Sequence, residues 1–410
     1  MTQDGQDGKV DSMNVVETFK SGHWPSLAGA WLHLTVSFMV WLLMGALAIP
    51  LAEELQLNEQ QLAWLVALPL LSGAGLRMAA GWAADWIGTR PTAVTLLLAE
   101  LAALLWGWWG VGTYESALVL ALCLGSAGAS FAVSLPLAGR AYPPASRGFV
   151  LGLAASGNVG TVLILFLAPR WAAAMDWHRV CGLMAMIVGV TLAGFTVLVP
   201  HEAPLPPHRV EWWHHAAQMV RRRSAYWLCF LYAITFGGFV GFCSLLPLIL
   251  HDVYRMDAVT AGGVAALCGL GGSVARPIGG YLADRQGGLR MLHYVLPVVA
   301  GAIVAVLSPS FPMALGMMLV TTAALGVGNG VVFQLVAEWF PNEIGLASGV
   351  VGAAGGFGGF LLSMGAGTLK GLMGNYEAGL WLFAGFVMCA WGTVIVALRA
   401  RGSSTIPASS

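Results

Sequence analysis

The sequence predicts an all-α integral membrane protein, with twelve transmembrane helices in two pseudo-symmetric six-helix halves. Three observations carry that prediction. Of 410 residues, 58% are hydrophobic and only 9% charged, against about 25% charged in an ordinary soluble domain. Apolar runs long enough to cross a bilayer recur along the chain, and in lipid such runs must satisfy their own backbone as helices. A charged motif then occurs twice, each matched position displaced by 199 residues.

Taken in order, residues 1–26 are polar and mixed in charge. They lack the basic region and short apolar stretch of a leader, so no cleavable signal peptide is expected. The first half, 27–199, holds spans centred near Phe38, Leu71, Ala102, Leu124, Gly160 and Val188. Residues 200–224 are the one long polar segment and read as the linker. Pro204, Pro206 and Pro207 forbid a helix at its start, and its later part suits an amphipathic helix lying on the membrane. The second half, 225–400, holds spans near Phe239, Leu270, Ala300, Leu325, Gly356 and Val387, and 401–410 form a tail.

Lysine and arginine placement sets the orientation. With both termini inside, thirteen basic residues fall on the cytoplasmic side and four (Arg170, Arg179, Arg255, Lys370) on the outer side. The expected location is the cytoplasmic (inner) membrane with both termini cytoplasmic, and Arg221 to Arg223 against anionic lipid. The formal net charge is zero, which gives no case for nucleic acid. The six cysteines lie in apolar segments with no metal-ligand or CxxC spacing. They read as buried small hydrophobes, and neither metal nor cofactor is implied.

The repeated motif is Arg77-x3-Gly81-x3-Asp85 and Arg276-x3-Gly280-x3-Asp284. Four-residue steps put its members near one helix face. Each arginine stands two turns inside an apolar span and each aspartate at its end. An arginine at mid-membrane costs about 2.5–3.5 kcal/mol on insertion scales. A chain that places one at equivalent points of both halves has a use for both, and repeated halves with charge at mid-depth are the pattern of a secondary transporter. The 199-residue displacement recurs in glycine-rich spans five and eleven, with Gly157 and Gly160 in one and Gly355, Gly356, Gly358 and Gly359 in the other. Such glycines allow close helix packing. The two spans are further expected to slide and rock against each other around a central cavity.

These residues carry a resemblance. Gly81-x3-Asp85-x2-Gly88-x-Arg90 and Gly280-x3-Asp284-Arg285-x-Gly287 resemble the loop motif of the major facilitator superfamily. Trp86 stands where that motif usually has a basic residue. The stretches Gly152–Gly160 and Val351–Gly359 are similar to the paired glycine signatures of the nitrate/nitrite porter family, as are Gly128–Val133, Tyr232–Gly237 and Gly328–Gln334 to its fourth, seventh and tenth helices. The resemblance implies one anion site between the halves, with Arg77 and Arg276 binding substrate. Phe131 and Phe236 would wall the planar anion, and Tyr232 and Asn158 would add polar contacts. It implies nitrate and/or nitrite as the small-anion substrate and no cofactor. The guanidinium fork suits a planar oxyanion, where lysine offers a point charge.

Alternatives stay open. Either arginine could instead pair with a carboxylate, but Glu100 is the only one well inside a span. Glu100 and His33 are the candidates for proton coupling, and nitrate/nitrite exchange would need neither. His33 is otherwise an interfacial or packing residue. Gly81, Asp85, Arg90, Gly280, Asp284 and Arg285 are expected at a cytoplasmic gate. A transporter of another small or organic anion, or a transporter-like sensor, are the rival readings. No catalytic residues are assigned, and the chain is expected to act as a monomer in membrane lipid.

Overall fold

The computed structural model describes residues 21–143, 147–201, 221–340 and 344–403. The N-terminal polar segment, the proposed surface helix of the linker and the last residues of the tail lie outside the described residues. Among the described residues, twelve long helical runs follow one another and no strand occurs. In the first half α1 runs in three consecutive pieces, Trp24–Trp41, Leu43–Ala46 and Ala48–Glu54. After it come α2 (Glu59–Trp86), α3 (Thr89–Trp109), α4 (Tyr114–Leu124, Gly125–Ser130 and Phe131–Arg140), α5 (Arg147–Ala155, Ser156–Val159 and Gly160–Met175) and α6 (Trp177–Leu198). In the second half α7 comprises Arg223–Tyr232, Ala233–Gly237 and Gly238–Tyr254. It is followed by α8 (Ala258–Gln286), α9 (Gly288–Ala305), α10 (Phe311–Trp339), α11 (Ile344–Met373) and α12 (Glu377–Ser403).

Eleven of these runs are by themselves long and apolar enough to span a membrane. The remaining one, α1, is divided at Leu42 and Leu47, yet its backbone bonds continue through both points, from Leu42 to Phe38 and from Leu47 to Leu43. It is one rod with two bends. The duplication is visible in the helix starts: Trp24 and Arg223, Glu59 and Ala258, and Thr89 and Gly288 each stand 199 residues apart, as the two arginines do.

Local chemistry fixes the ends. Asn58 and Gln61 form a reciprocal capping box at the start of α2, and Asp257 caps α8 through the amides of Val259 and Thr260. The motif glycines Gly88 and Gly287 close the turns into α3 and α9 with φ of 101° and 88°. Side chains rarely tolerate that conformation, which is why both motif copies carry glycine there.

Three helices change winding partway along. α4 tightens to a 3₁₀ turn at Gly125–Ser130, α5 does so at Ser156–Val159, and α7 widens to a π turn at Ala233–Gly237. Such departures inside a helix accompany functional positions. Phe131, Asn158, Tyr232 and Phe236 all lie in or beside these turns.

The glycine signatures correct one expectation. They do not face each other. Gly157 and Gly160 meet Leu34 and Thr35 of α1, Gly355 and Gly358 meet Tyr232 and Ala233 of α7, and Gly356 meets Ala74 of α2 in the opposite half. Each signature thus lets its own half close tightly, and α11 adds a contact across the halves. The cysteine reading also needs amending: Cys181, Cys243 and Cys268 are buried, but Cys123 and Cys389 are exposed on the helix surface.

Candidate functional site

The two arginines come together where the halves meet. Both side chains are buried, Arg77 at 1% and Arg276 at 7% relative exposure. Arg77 donates from Nε to the carbonyl of Gly128 on α4 (2.7 Å), and from one terminal nitrogen to the carbonyl of Gly352 on α11 in the other half. Its guanidinium lies over three rings, Trp41 at 4.9 Å, Phe236 at 5.3 Å and Phe131 at 5.4 Å from their centroids. The Arg276 guanidinium lies 5.5 Å from the centroids of Phe131 and Phe333. Phe131 is shared, so the two cations face one ring from the two halves and repel each other.

The aromatic frame is continuous. Tyr232 and Phe236, one turn apart on α7, stack with centroids 5.0 Å apart and planes at 3°. Phe333 sits edge-on to both Tyr232 and Phe131. Desolvated cation–π contacts are worth about 2 kcal/mol or more each, and they offset part of the cost of burying two positive charges.

Hydrogen bonding is left incomplete at the two arginines. Nη2 of Arg77, Nη1 of Arg276 and the Tyr232 hydroxyl are all buried without a hydrogen-bond partner. The hydroxyl lies in the field of both guanidinium groups and against Arg276, short of a well-directed bond. A buried charged donor without a partner costs several kcal/mol at the upper end of measured penalties, roughly 3 or more. No ion pair to a carboxylate is made by either arginine among the described residues. A small anion would satisfy these donors together.

The other expected residues fall in three groups. Asn158 is buried in the 3₁₀ turn of α5, with both its amide nitrogen and oxygen unpartnered. Glu100 and His33 are fully buried, but inside the first half: Ser37 of α1 donates to Glu100 at 2.8 Å, and His33 Nδ1 stands 2.8 Å from the Ser134 hydroxyl. Of the two places expected for His33, interfacial or packed, it takes the packed one; its ring lies 5.6 Å from Phe195 on α6. At the face where α1 and α7 begin, here the near face, Arg140 bonds Asp85 at 2.9 Å. Arg90 donates to the carbonyls of Val199 and Thr196, tying α3 to the end of α6. Asp284 is exposed, and Arg285 lies over Tyr281 at 4.4 Å. Gly81 and Gly280 stand on the arginine helices where an added Cβ would touch only Ala132 and the Gly330 carbonyl. Arg222 of the basic run lies 5.9 Å from the Phe340 centroid, so it meets protein.

Sequence reasoning missed Trp41, the ring nearest Arg77, and the whole cluster at the opposite, far face. There Lys370 of α11 reaches Glu59 of α2 (2.7 Å) in the first half and Asp252 of α7 (2.6 Å) in its own. Tyr376 donates to the same Asp252 oxygen (2.7 Å), and Gln60 bonds Thr368 across the halves (3.2 Å). Burial, with the carboxylates of Asp252 and Glu59 beside it, pushes the Tyr376 hydroxyl well above the ordinary tyrosine range. The halves are joined by side chains at the far face, whereas Asp85 and Arg140 at the near face belong to one half. Only the mid-span position of Trp41, away from the interfacial belts where tryptophan collects, signalled its role in the sequence.

Buried cations lining the seam of a duplicated helical bundle define a membrane transporter rather than an enzyme. Comparison with known proteins narrows this. The family model of the Major Facilitator Superfamily matches residues 30–361. The chain is 34% identical over 386 residues to the probable nitrate/nitrite transporter NarK2 of Mycobacterium tuberculosis, spanning 89% of this chain and 94% of that protein. It is 28% identical over 371 residues to the nitrite extrusion protein of Bacillus subtilis, spanning 88% and 92%. Among solved structures, the human organic anion transporter MFSD10 superposes with a TM-score of 0.70 at 14% identity, over 91% of this chain and 99% of that one, a likeness of fold alone. The chain belongs to the major facilitator superfamily and, within it, to the nitrate/nitrite porter family.

Proposed function

We propose that this protein moves nitrate and nitrite across the cytoplasmic membrane by alternating access, holding the anion between Arg77 and Arg276. The observation that carries the reading is the convergence of Arg77 Nη2, Arg276 Nη1 and the Tyr232 hydroxyl, all buried and unpartnered, around rings shared by both halves. A planar oxyanion accepts from the unpartnered nitrogens of both guanidinium groups at once and lies flat against phenylalanine. Its charge relieves the repulsion between the arginines, so binding draws the halves together. Asn158 supplies a further polar contact from α5. The substrates for which the relatives are named, nitrate and nitrite, agree with this chemistry.

The far-face cluster holds one end of the pathway shut in the conformation described, and its release together with closure of the near face would expose the site to the other side. In this reading the near face is cytoplasmic, residues 200–224 link the halves, and Asp85, Arg90, Asp284 and Arg285 border the cytoplasmic opening. Either nitrate/nitrite exchange or proton symport returns the carrier. Exchange needs nothing beyond the anion site, while symport would draw on Glu100 or His33.

Proteoliposomes test this directly. Nitrate uptake is measured with and without internal nitrite, and with and without an inward proton gradient. Uptake requiring internal nitrite marks exchange, and uptake driven by the gradient alone marks symport. Absence of uptake under every condition in folded protein overturns the reading. Equal competition by chloride, formate or an organic anion would overturn the substrate assignment.

A further inference from the structure

Trp41 is the tryptophan that lies against the Arg77 guanidinium. It is 1% exposed, at the last residue of the long piece of α1, immediately before the first bend. Its indole N–H donates to the Pro69 carbonyl of α2 at 2.8 Å, eight residues before Arg77 on the same helix. Its ring lies 4.9 Å from the Arg77 guanidinium, nearer than either phenylalanine. It also runs nearly parallel to Phe236 of the opposite half, at 19° with centroids 6.3 Å apart. Space is kept for it by two glycines: a Cβ on Gly73 or Gly128 would sit 2.7 or 2.6 Å from its indole nitrogen.

The partners of Arg77 divide by half. Gly128, Phe131 and Trp41 belong to the first half with Arg77 itself, and Gly352 and Phe236 belong to the second. When the halves rock, the second set moves relative to the guanidinium and the first set travels with it. Gly128 fixes only Nε. The orientation of the terminal nitrogens then depends on the rings that stay, and of these Trp41 is anchored on the helix of Arg77.

We infer that Trp41 is a positioning residue for anion recognition, holding the Arg77 fork aimed at the site in every conformation through its π face. This rests on the proposed function above. The test compares nitrate affinity of purified wild type, Trp41→Phe and Trp41→Met by calorimetry. Phenylalanine keeps a π face, while methionine keeps bulk and loses it. The expected result is near-wild-type affinity for Trp41→Phe and weakening by about tenfold for Trp41→Met, the scale of a partly desolvated cation–π contact. Maximal transport rate should change less than affinity. Equal affinity for the two variants overturns the inference, whether both match wild type or both fall alike. Absence of nitrate binding in wild type itself overturns the underlying reading of function, and the two failures are thereby told apart. Should Trp41→Met not fold, Trp41→Leu takes its place as the variant without a π face.

Discussion

The two halves are built on one template and put it to different uses. His33 and Ser37 of α1 stand 199 residues before Tyr232 and Phe236 of α7, so the pairs occupy equivalent places. In α7 they stack as an aromatic wall beside Arg77 and Arg276, around a π turn at Ala233–Gly237. In α1 they turn inward and bond to Ser134 and Glu100. The second half thus gives this register to the seam, and the first gives it to its own interior. The first half supplies Trp41 instead, one turn beyond Ser37. Duplication fixes where a side chain can stand, and the neighbouring helices decide whether it faces substrate or core.

The largest expected effect comes from the arginine that both halves kept. Arg77→Lys and Arg276→Lys preserve charge and remove the fork, and each should weaken nitrate binding by about 2–3 kcal/mol, roughly 30- to 150-fold. Arg77→Lys should be the worse, because that guanidinium also serves two carbonyls and three rings. Near-normal affinity in both would refute a bidentate site, and calorimetry on purified protein decides. Next comes the far face. Lys370→Met removes the cation joining Glu59 to Asp252. Because Glu59 is nearly half exposed, the pair is discounted to about 1 kcal/mol, a shift of about fivefold toward the conformation open on that side. Labelling of a Ser244→Cys variant from that side should rise accordingly, since Ser244 packs against Gly45 across the seam.

Glu100→Gln then sharpens the contrast between the interiors. It keeps an acceptor for Ser37 and removes the titrating group, so nitrate/nitrite exchange should stay within about twofold while any proton-driven component disappears. Loss of exchange as well would make Glu100 a packing element on which the first half depends. The smallest effect is expected at Asp257, whose carboxylate is held below its ordinary range by the Thr260 hydroxyl and amide. A depressed pKa stabilises the fold above the unfolded value, near pH 4, and that contribution fades as pH falls through the folded value. Asp257→Asn should lower the melting temperature slightly at pH 7, by about 1–2 °C, with the difference from wild type closing below pH 4.

Much of this was legible in the chain. Apolar length and the displaced motif give the twelve helices and the duplication, because lipid leaves a polypeptide few other options. Arg77 and Arg276 announced themselves by the cost of their burial. What stayed hidden depends on side-chain direction and on pairs distant in sequence. Lys370 looks like an ordinary outer-loop cation until Glu59, some 300 residues earlier, is seen beside it. His33 reads as either interfacial or packed, because nothing in the sequence shows Phe195 of α6 lying beside it. The glycine signatures were readable as close packing, but which helix each one meets is set by the bundle.

Arg77 donates both of its hydrogen bonds to main-chain carbonyls, those of Gly128 and Gly352. Every residue type offers a carbonyl, so side-chain drift at these two positions does not by itself remove the acceptors. Their vulnerability is unequal all the same. A methyl at Gly352 would stand 3.6 Å from the guanidinium, an ordinary contact, whereas one at Gly128 would collide with the indole of Trp41 and the backbone of Gly73. Evolutionary tolerance at the two anchors should therefore diverge, with alanine surviving at Gly352 and being purged at Gly128, although both perform the same bonding service.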